Sequence, residues 1–258
     1  MRSVALITGA SAGIGAALAH TFAQNGHEVV LTARREPELK ALADAISLGG
    51  HKRPHVIPID LAAPDAPDAP GRLDHELSSR GMELAYVVNN AGFGLLGLAA
   101  DLDRAQQLNM IDLNIRTLTD FSLRWVDSLA RNRGGILNVA SIAAFMPGPH
   151  MAVYHATKAY VLSFSEALQI ELAPRGVRVT ALCPGPVPTE FMDRAGIPKD
   201  YFPRFLGRSA ARVARDGYKG LMQGRRVVVP GAANKILTVV VRLLPRWLVL
   251  ILAGAGKA

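Results

Sequence analysis

Tyr154 and Lys158 stand four residues apart in the stretch Tyr154-His155-Ala156-Thr157-Lys158. On a helix that spacing puts both side chains on one face, one turn from each other. A free tyrosine ionises near pH ~10, and a neighbouring ammonium favours the phenolate. The pair therefore predicts a phenol whose pKa is lowered toward neutrality, where it can exchange a proton with a reacting oxygen. A core tyrosine beside a solvated lysine has the same spacing, so the pair takes its meaning from what precedes it.

Upstream, the apolar run Val4-Ala5-Leu6-Ile7 passes directly into Thr8-Gly9-Ala10-Ser11-Ala12-Gly13-Ile14-Gly15. Leu18 and Phe22 continue at helical spacing as far as Gly26, and Glu28 to Thr32 reads as a second strand. Glycines at such a junction let the backbone turn sharply and approach a pyrophosphate. The helix start after Gly13 adds unpaired N–H groups and the positive end of its dipole. A purely structural glycine turn competes with this for the glycines alone, but the flanking strand and helix favour a dinucleotide site.

The whole chain has the size and composition of one α/β domain: 258 residues, half of them hydrophobic. The lone Cys183 excludes an internal disulfide and makes a reducing cytosol the default compartment. Seven scattered histidines lack ligand spacing, so no metal site is expected. The short first run is not the apolar core of a secretory signal. Further strands are expected at His55 to Ile59, Ala85 to Val88, Gly135 to Val139, Val177 to Leu182 and Arg226 to Gly231. Helices are expected at Glu36 to Ser47 and, as one long element, from about Arg104 to Ala130. The proline-rich Pro64 to Gly71 reads as an exposed loop leading to a helix near residue 80.

At Gly9, Gly13 and Gly15 the chain resembles the short-chain dehydrogenase/reductase family, whose fingerprint is Thr-Gly-x-x-x-Gly-x-Gly. The likeness continues in order through Asn89-Asn90-Ala91-Gly92, Asn114, Ser141, the Tyr154/Lys158 pair and Pro184-Gly185. Its tail resembles the branch related to ketoacyl and hydroxysteroid reductases. The resemblance implies a Rossmann-like, doubly wound α/β fold, with a parallel sheet of about seven strands and helices on both faces. It assigns cofactor contacts to Ser11 and Ile14 beside the glycines, to Asp60 and Leu61 near the adenine, and to Asn90, Ala91 and Gly92 near the ribose. Pro184, Gly185, Val187 and Thr189 are assigned to the nicotinamide carboxamide. In the implied chemistry a hydride moves between the cofactor and a carbonyl or alcohol carbon, with Tyr154 as acid/base and Ser141 bonded to the substrate oxygen. Lys158 binds the nicotinamide ribose and tunes Tyr154, and Asn114 holds a water linking Lys158 to solvent.

The end of the second strand bears on the choice of dinucleotide. A carboxylate there would bond the adenosine ribose hydroxyls, whereas a 2′-phosphate needs cations. Ala33 stands at that point, followed by Arg34 and Arg35, which favours NADP(H). Ala12 departs from the basic residue that NADP-preferring relatives often carry before the second glycine.

Residues 1–231 are read as the catalytic domain, with a substrate lid over about 186–225. Residues 232–258 are read as an apolar, basic tail of two short helices. From residue 199 onward twelve Lys and Arg face only Asp200 and Asp216, a local +10 that leaves −2 for the rest. A spanning helix needs ~20 largely apolar residues, and Arg242, Pro245 and Arg246 interrupt the tail. Residues 235–253 are expected to cover the cleft, pair with another subunit, or lie on an anionic membrane from the cytoplasmic side. No nucleic-acid motif accompanies the basic residues. A lipophilic ketone or aldehyde and a homodimer or homotetramer follow from the resemblance. A non-catalytic NADP-binding regulator or scaffold is the rival class, and oxidation of a lipid alcohol is the enzymatic rival.

Overall fold

The computed structural model describes residues 2–62, 69–198 and 200–255. Its centre is a seven-stranded parallel sheet in the order β3-β2-β1-β4-β5-β6-β7. The strands are β1 Arg2–Thr8, β2 Glu28–Thr32, β3 His55–Val56, β4 Met82–Asn89, β5 Gly135–Val139, β6 Arg178–Leu182 and β7 Val227–Val228. Alternation along β1 assigns the two faces: Ala5 and Ile7 enter one core, Val4 and Leu6 the other. On the first face α1 (Gly13–Gln24) contributes Leu18 and Phe22, and α2 (Glu36–Leu48) contributes Leu39 and Ile46. On the second, α3 (Ala69–Ser79) brings Leu73 and Leu77. The order reverses between β1 and β4, so the carboxyl ends of these strands open a crevice.

Several expected elements are shorter or broken. β3 ends at Val56 because Pro58 has no N–H, although the Ile57 and Ile59 amides still donate to Leu31 and Ala33 at 3.0 and 3.1 Å. The loop expected over Pro64 to Gly71 falls partly outside the described residues, and Ala69 to Gly71 already belong to α3, with Pro70 tolerated in its first turn. The long helix over 104–130 is four pieces: α4 (Arg104–Ile111), a π-helical stretch Asp112–Thr117, α5 (Leu118–Arg124) and α6 (Val126–Arg131). Trp125 leaves helical geometry at φ −111°, ψ 21°, and its indole donates to Asp74 at 2.7 Å.

The remaining helices are α7 (Ala152–Leu172), α8 (Glu190–Arg194), α9 (Ala210–Met222), α10 (Ala232–Leu243) and α11 (Arg246–Ala255). α9 packs on α1 with Val213, Ala214 and Leu221 in the core, so the part of 186–225 that borders the crevice stops short of it. The tail is two short helices separated by Pro245. No helix among the described residues is long and apolar enough to cross a membrane.

Candidate active site

One cleft of about 930 Å³ runs along the carboxyl ends of the strands. Of the site residues read from the sequence, all except Gly15 and Asn114 line it. Its floor begins at the β1–α1 junction. Gly9 and Gly13 adopt φ +63° and +58°, left-handed values that favour glycine. A Cβ at Gly15 would collide with the Gly9 carbonyl oxygen and lie 2.5 Å from Asn90 Nδ2, so Gly15 is needed for close packing behind the turn. Ala12 caps α1 without a side-chain bond, which leaves the first-turn N–H groups for an anion.

Two residues hold this turn from beneath. Asn90 donates to the Thr8 and Gly9 carbonyls at 2.9 and 3.2 Å, and Thr8 Oγ1 accepts from the Asn90 and Ala91 amides at 2.9 Å each. Thr8 carries as much of the junction as Asn90, although as a fingerprint threonine it offered no separate signal of that role. Ala91 and Gly92 follow on the cleft wall. Beyond the second strand Asp60 accepts from the Ala62 amide at 3.0 Å and lies 4.0 Å from Arg34, whose side chain is mostly exposed. The Leu61 carbonyl accepts from Thr117 at 3.4 Å. Arg35 reaches Ser11 Oγ at 3.2 Å and Glu190 Oε2 at 2.8 Å.

The other end of the cleft holds Ser141, Tyr154 and Lys158. Ser141, at the end of β5, caps the short turn Ile142–Phe145 and accepts from the Ala143 amide at 3.1 Å. Tyr154 and Lys158 project from the first turns of α7 into the same cleft. Burial pushes the Tyr154 phenol up to about 12, offset in part by the adjoining Ser141 hydroxyl. Burial likewise brings the Lys158 ammonium down to about 8. Its Nζ donates to the Val139 carbonyl at 2.8 Å and sits 5.8 Å from the Tyr154 ring centroid. The expected lysine-driven lowering of the phenol is absent: desolvation raises it, the Ser141 hydroxyl is what opposes that rise, and the tyrosine stands protonated at neutral pH.

Asn114 is buried behind the cleft within the π-helical stretch. It accepts from the Phe93 amide at 3.2 Å and donates to the Phe93 carbonyl at 3.0 Å and Thr157 Oγ1 at 3.1 Å. These bonds tie α7 to the Asn90–Phe93 segment, and Gly92 leaves room for the amide. Pro184 accepts from Ile142 at 3.0 Å, and Thr189 packs against Gly13 across the cleft, its hydroxyl 3.4 Å from the Val187 carbonyl. Cys183 is buried outside the lining, with its thiol raised to about 12 by desolvation. Gly185 is packed against Asn234 of α10, a contact no local pattern could reveal.

The glycine turn, the uncapped helix start and the paired Tyr and Ser fit a nicotinamide dinucleotide beside a carbonyl or alcohol. Residues 3–198 match the family model described as short chain dehydrogenase. The chain belongs to the short-chain dehydrogenase family. It is 37% identical over 194 residues to sulfoacetaldehyde reductase 2 of Chromohalobacter salexigens, covering 74% of this chain and 75% of that one. It is 31% identical over 228 residues to 11-beta-hydroxysteroid dehydrogenase-like 3 of Arabidopsis thaliana, covering 88% and 72%. Among solved structures, a short-chain dehydrogenase from Sphingobium yanoikuyae in complex with NADPH superposes with a TM-score of 0.81 at 30% identity, covering 93% and 92%. This short-chain dehydrogenase is thus an oxidoreductase acting on the CH–OH/C=O pair with a nicotinamide cofactor.

Proposed function

We propose that the chain is an NADP(H)-dependent carbonyl reductase for lipophilic ketones or aldehydes, with Tyr154 as general acid/base. The observation that supports this best is that Tyr154, Ser141 and Lys158 share one cleft with the glycine turn and with Arg34 and Arg35 at its far end. Arg34 and Arg35 supply the cations a 2′-phosphate needs, and the first turn of α1 takes the pyrophosphate. Residues 184–189 and Lys158 hold the nicotinamide half. When bound, the dinucleotide supplies the hydride.

Tyr154, kept protonated by its surroundings, gives its proton to the carbonyl oxygen as charge grows there, and the Ser141 hydroxyl steadies that oxygen. The Lys158 ammonium then stabilises the phenolate, and Asn114 holds α7 in register through Thr157 while linking Lys158 to solvent through a water. The reverse path serves an alcohol by the same residues. Around the reacting end the wall is apolar, with Phe93, Leu95, Met151, Phe191, Met192 and Phe202, and this favours a lipophilic substrate.

Residues 1–231 form the catalytic domain in this proposal, with 186–209 as the cover of the cleft. Helices α4, α5 and α7 leave Leu108, Leu123 and Ile170 exposed, which supports a homodimer or homotetramer through that side. The tail is placed on an anionic membrane surface. α10 turns Asn234 and Thr238 inward and exposes Ile236, Val239, Val240 and Leu243, an inversion of ordinary amphipathicity, with Lys235 and Arg242 at the edge of the apolar stripe. α11 adds exposed Trp247, Leu250 and Ile251, while Leu237 and Leu252 also reach the cleft wall.

The test is turnover of NADPH and NADH with aliphatic, steroid and long-chain acyl ketones and aldehydes, beside flotation with phosphatidylserine vesicles. NADPH-dependent reduction of apolar substrates is the expected result. A preference for NADH, or for small charged aldehydes, would overturn the cofactor or substrate assignment. Failure to float would remove the membrane contact.

A further inference from the structure

Arg35 and Glu190 lie 155 positions apart in the chain, yet they meet across the cleft. Arg35 stands at the start of α2, on the adenosine side, and its guanidinium is shared among three neighbours. Nη2 donates to Ser11 Oγ at 3.2 Å and to Glu190 Oε2 at 2.8 Å, and Nη1 lies 3.4 Å from Glu190 Oε1 and 3.3 Å from Glu38 Oε1. Its Nε is buried without a partner. Glu190 opens α8, takes a second cation from Arg194 at 3.2 Å, and is followed by Phe191, whose ring centroid lies 5.6 Å from that of Tyr154. The forked end of Arg35, the part that would grip a phosphate in two-point fashion, is thus held by a carboxylate from the opposite wall.

We propose that Glu190 is a specificity-determining residue that competes with the cofactor's 2′-phosphate for Arg35. The proposal rests on the NADP(H) assignment above. A dianionic 2′-phosphate that draws on the Arg35 guanidinium must either displace the Glu190 carboxylate or sit beside it, and like charges on one cation repel. Glu190 therefore lowers the advantage that Arg34 and Arg35 give to NADP(H) over NAD(H). Ser11, which lines the cleft, marks where the phosphate gains its first contact.

The experiment is calorimetric titration of the full chain with adenosine 2′,5′-bisphosphate and with 5′-AMP, which differ only in the 2′-phosphate. Wild type, Glu190→Gln, Glu38→Gln and Arg35→Ala are compared at two salt concentrations. The Glu190→Gln protein is expected to bind the bisphosphate about two- to fivefold more tightly, the range for releasing a part-exposed ion pair, with 5′-AMP unchanged. The gain should shrink at high salt. An unchanged bisphosphate affinity in Glu190→Gln, with a loss in Arg35→Ala, overturns the proposal and leaves the NADP(H) assignment standing. An equal gain in Glu38→Gln, whose carboxylate also pairs with Arg35 at 3.3 Å, makes the effect common to the carboxylates around Arg35 and overturns the assignment to Glu190. If wild type and Glu190→Gln both bind the two nucleotides alike, the NADP(H) assignment itself fails and the proposal with it.

Discussion

Replacing Lys158 by Met should make the protein more stable at neutral pH while removing its activity. The side chain is buried, and its pKa falls from the ordinary lysine value of 10.5 to about 8 because burial penalises the charge. At ~1.4 kcal/mol per pKa unit, that drop is a penalty of about 3 kcal/mol carried by the folded state wherever the lysine is charged. Below pH 8 the lysine is charged in both states and the penalty is complete. Between pH 8 and 10.5 the unfolded chain binds more protons than the folded one, so the penalty fades as pH rises, and above 10.5 it is gone. Methionine fills nearly the same volume but leaves the Val139 carbonyl, now bonded at 2.8 Å, without that donor, a loss of about 1–2 kcal/mol. The variant should therefore exceed wild type by about 1–2 kcal/mol at pH 7 and lose that lead by about pH 10. Urea unfolding of both proteins across this range reads the difference; Tyr154 is common to both, whereas the Cys183 thiol loses the lowering effect of the Lys158 charge and so stays protonated through this range in the variant. A variant less stable than wild type by a constant margin at every pH would refute the argument.

Gly15→Ala should cost about 1–3 kcal/mol by overpacking and weaken dinucleotide binding, because its Cβ meets the Gly9 carbonyl and Asn90, neither of which can yield without opening the turn; thermal melting with and without NADPH reads both effects. Asn234→Ala removes the 3.1 and 2.8 Å bonds from its Nδ2 to the Leu206 and Pro230 carbonyls, and should cost about 2–3 kcal/mol. Early protease cleavage in the tail is its expected sign, and a tail as resistant as wild type would count against anchoring by Asn234.

Local patterns marked the elements that position the cleft. The Val4 to Ile7 run, the glycine spacing, the Glu28 to Thr32 run and the Tyr154/Lys158 turn each depend on residues close in sequence, and each recurs in the fold. Bonds between distant segments were not legible. Asn114 was marked by the family resemblance, but its Thr157 and Phe93 partners are set by how a π-helical stretch presents it to α7. Arg35 read as a cation for a 2′-phosphate, with no local sign of the Glu190 that arrives from across the cleft, and Gly185 read as a cofactor loop because the Asn234 behind it lies in the tail. The electrostatics inverted for a related reason. Helical spacing placed an ammonium beside a phenol, yet the surrounding atoms, which no spacing encodes, desolvate both and turn Lys158 toward Val139.

The decisive measurement compares wild type with Tyr154→Phe, reading NADPH affinity by fluorescence and single-turnover carbonyl reduction in the same samples. Loss of the phenolic proton should lower the rate about 10²–10⁴-fold while NADPH affinity stays within about twofold, since twofold is only ~0.4 kcal/mol. A Tyr154→Phe protein that reduces its substrate at the wild-type rate would contradict the assignment of Tyr154 as the acid.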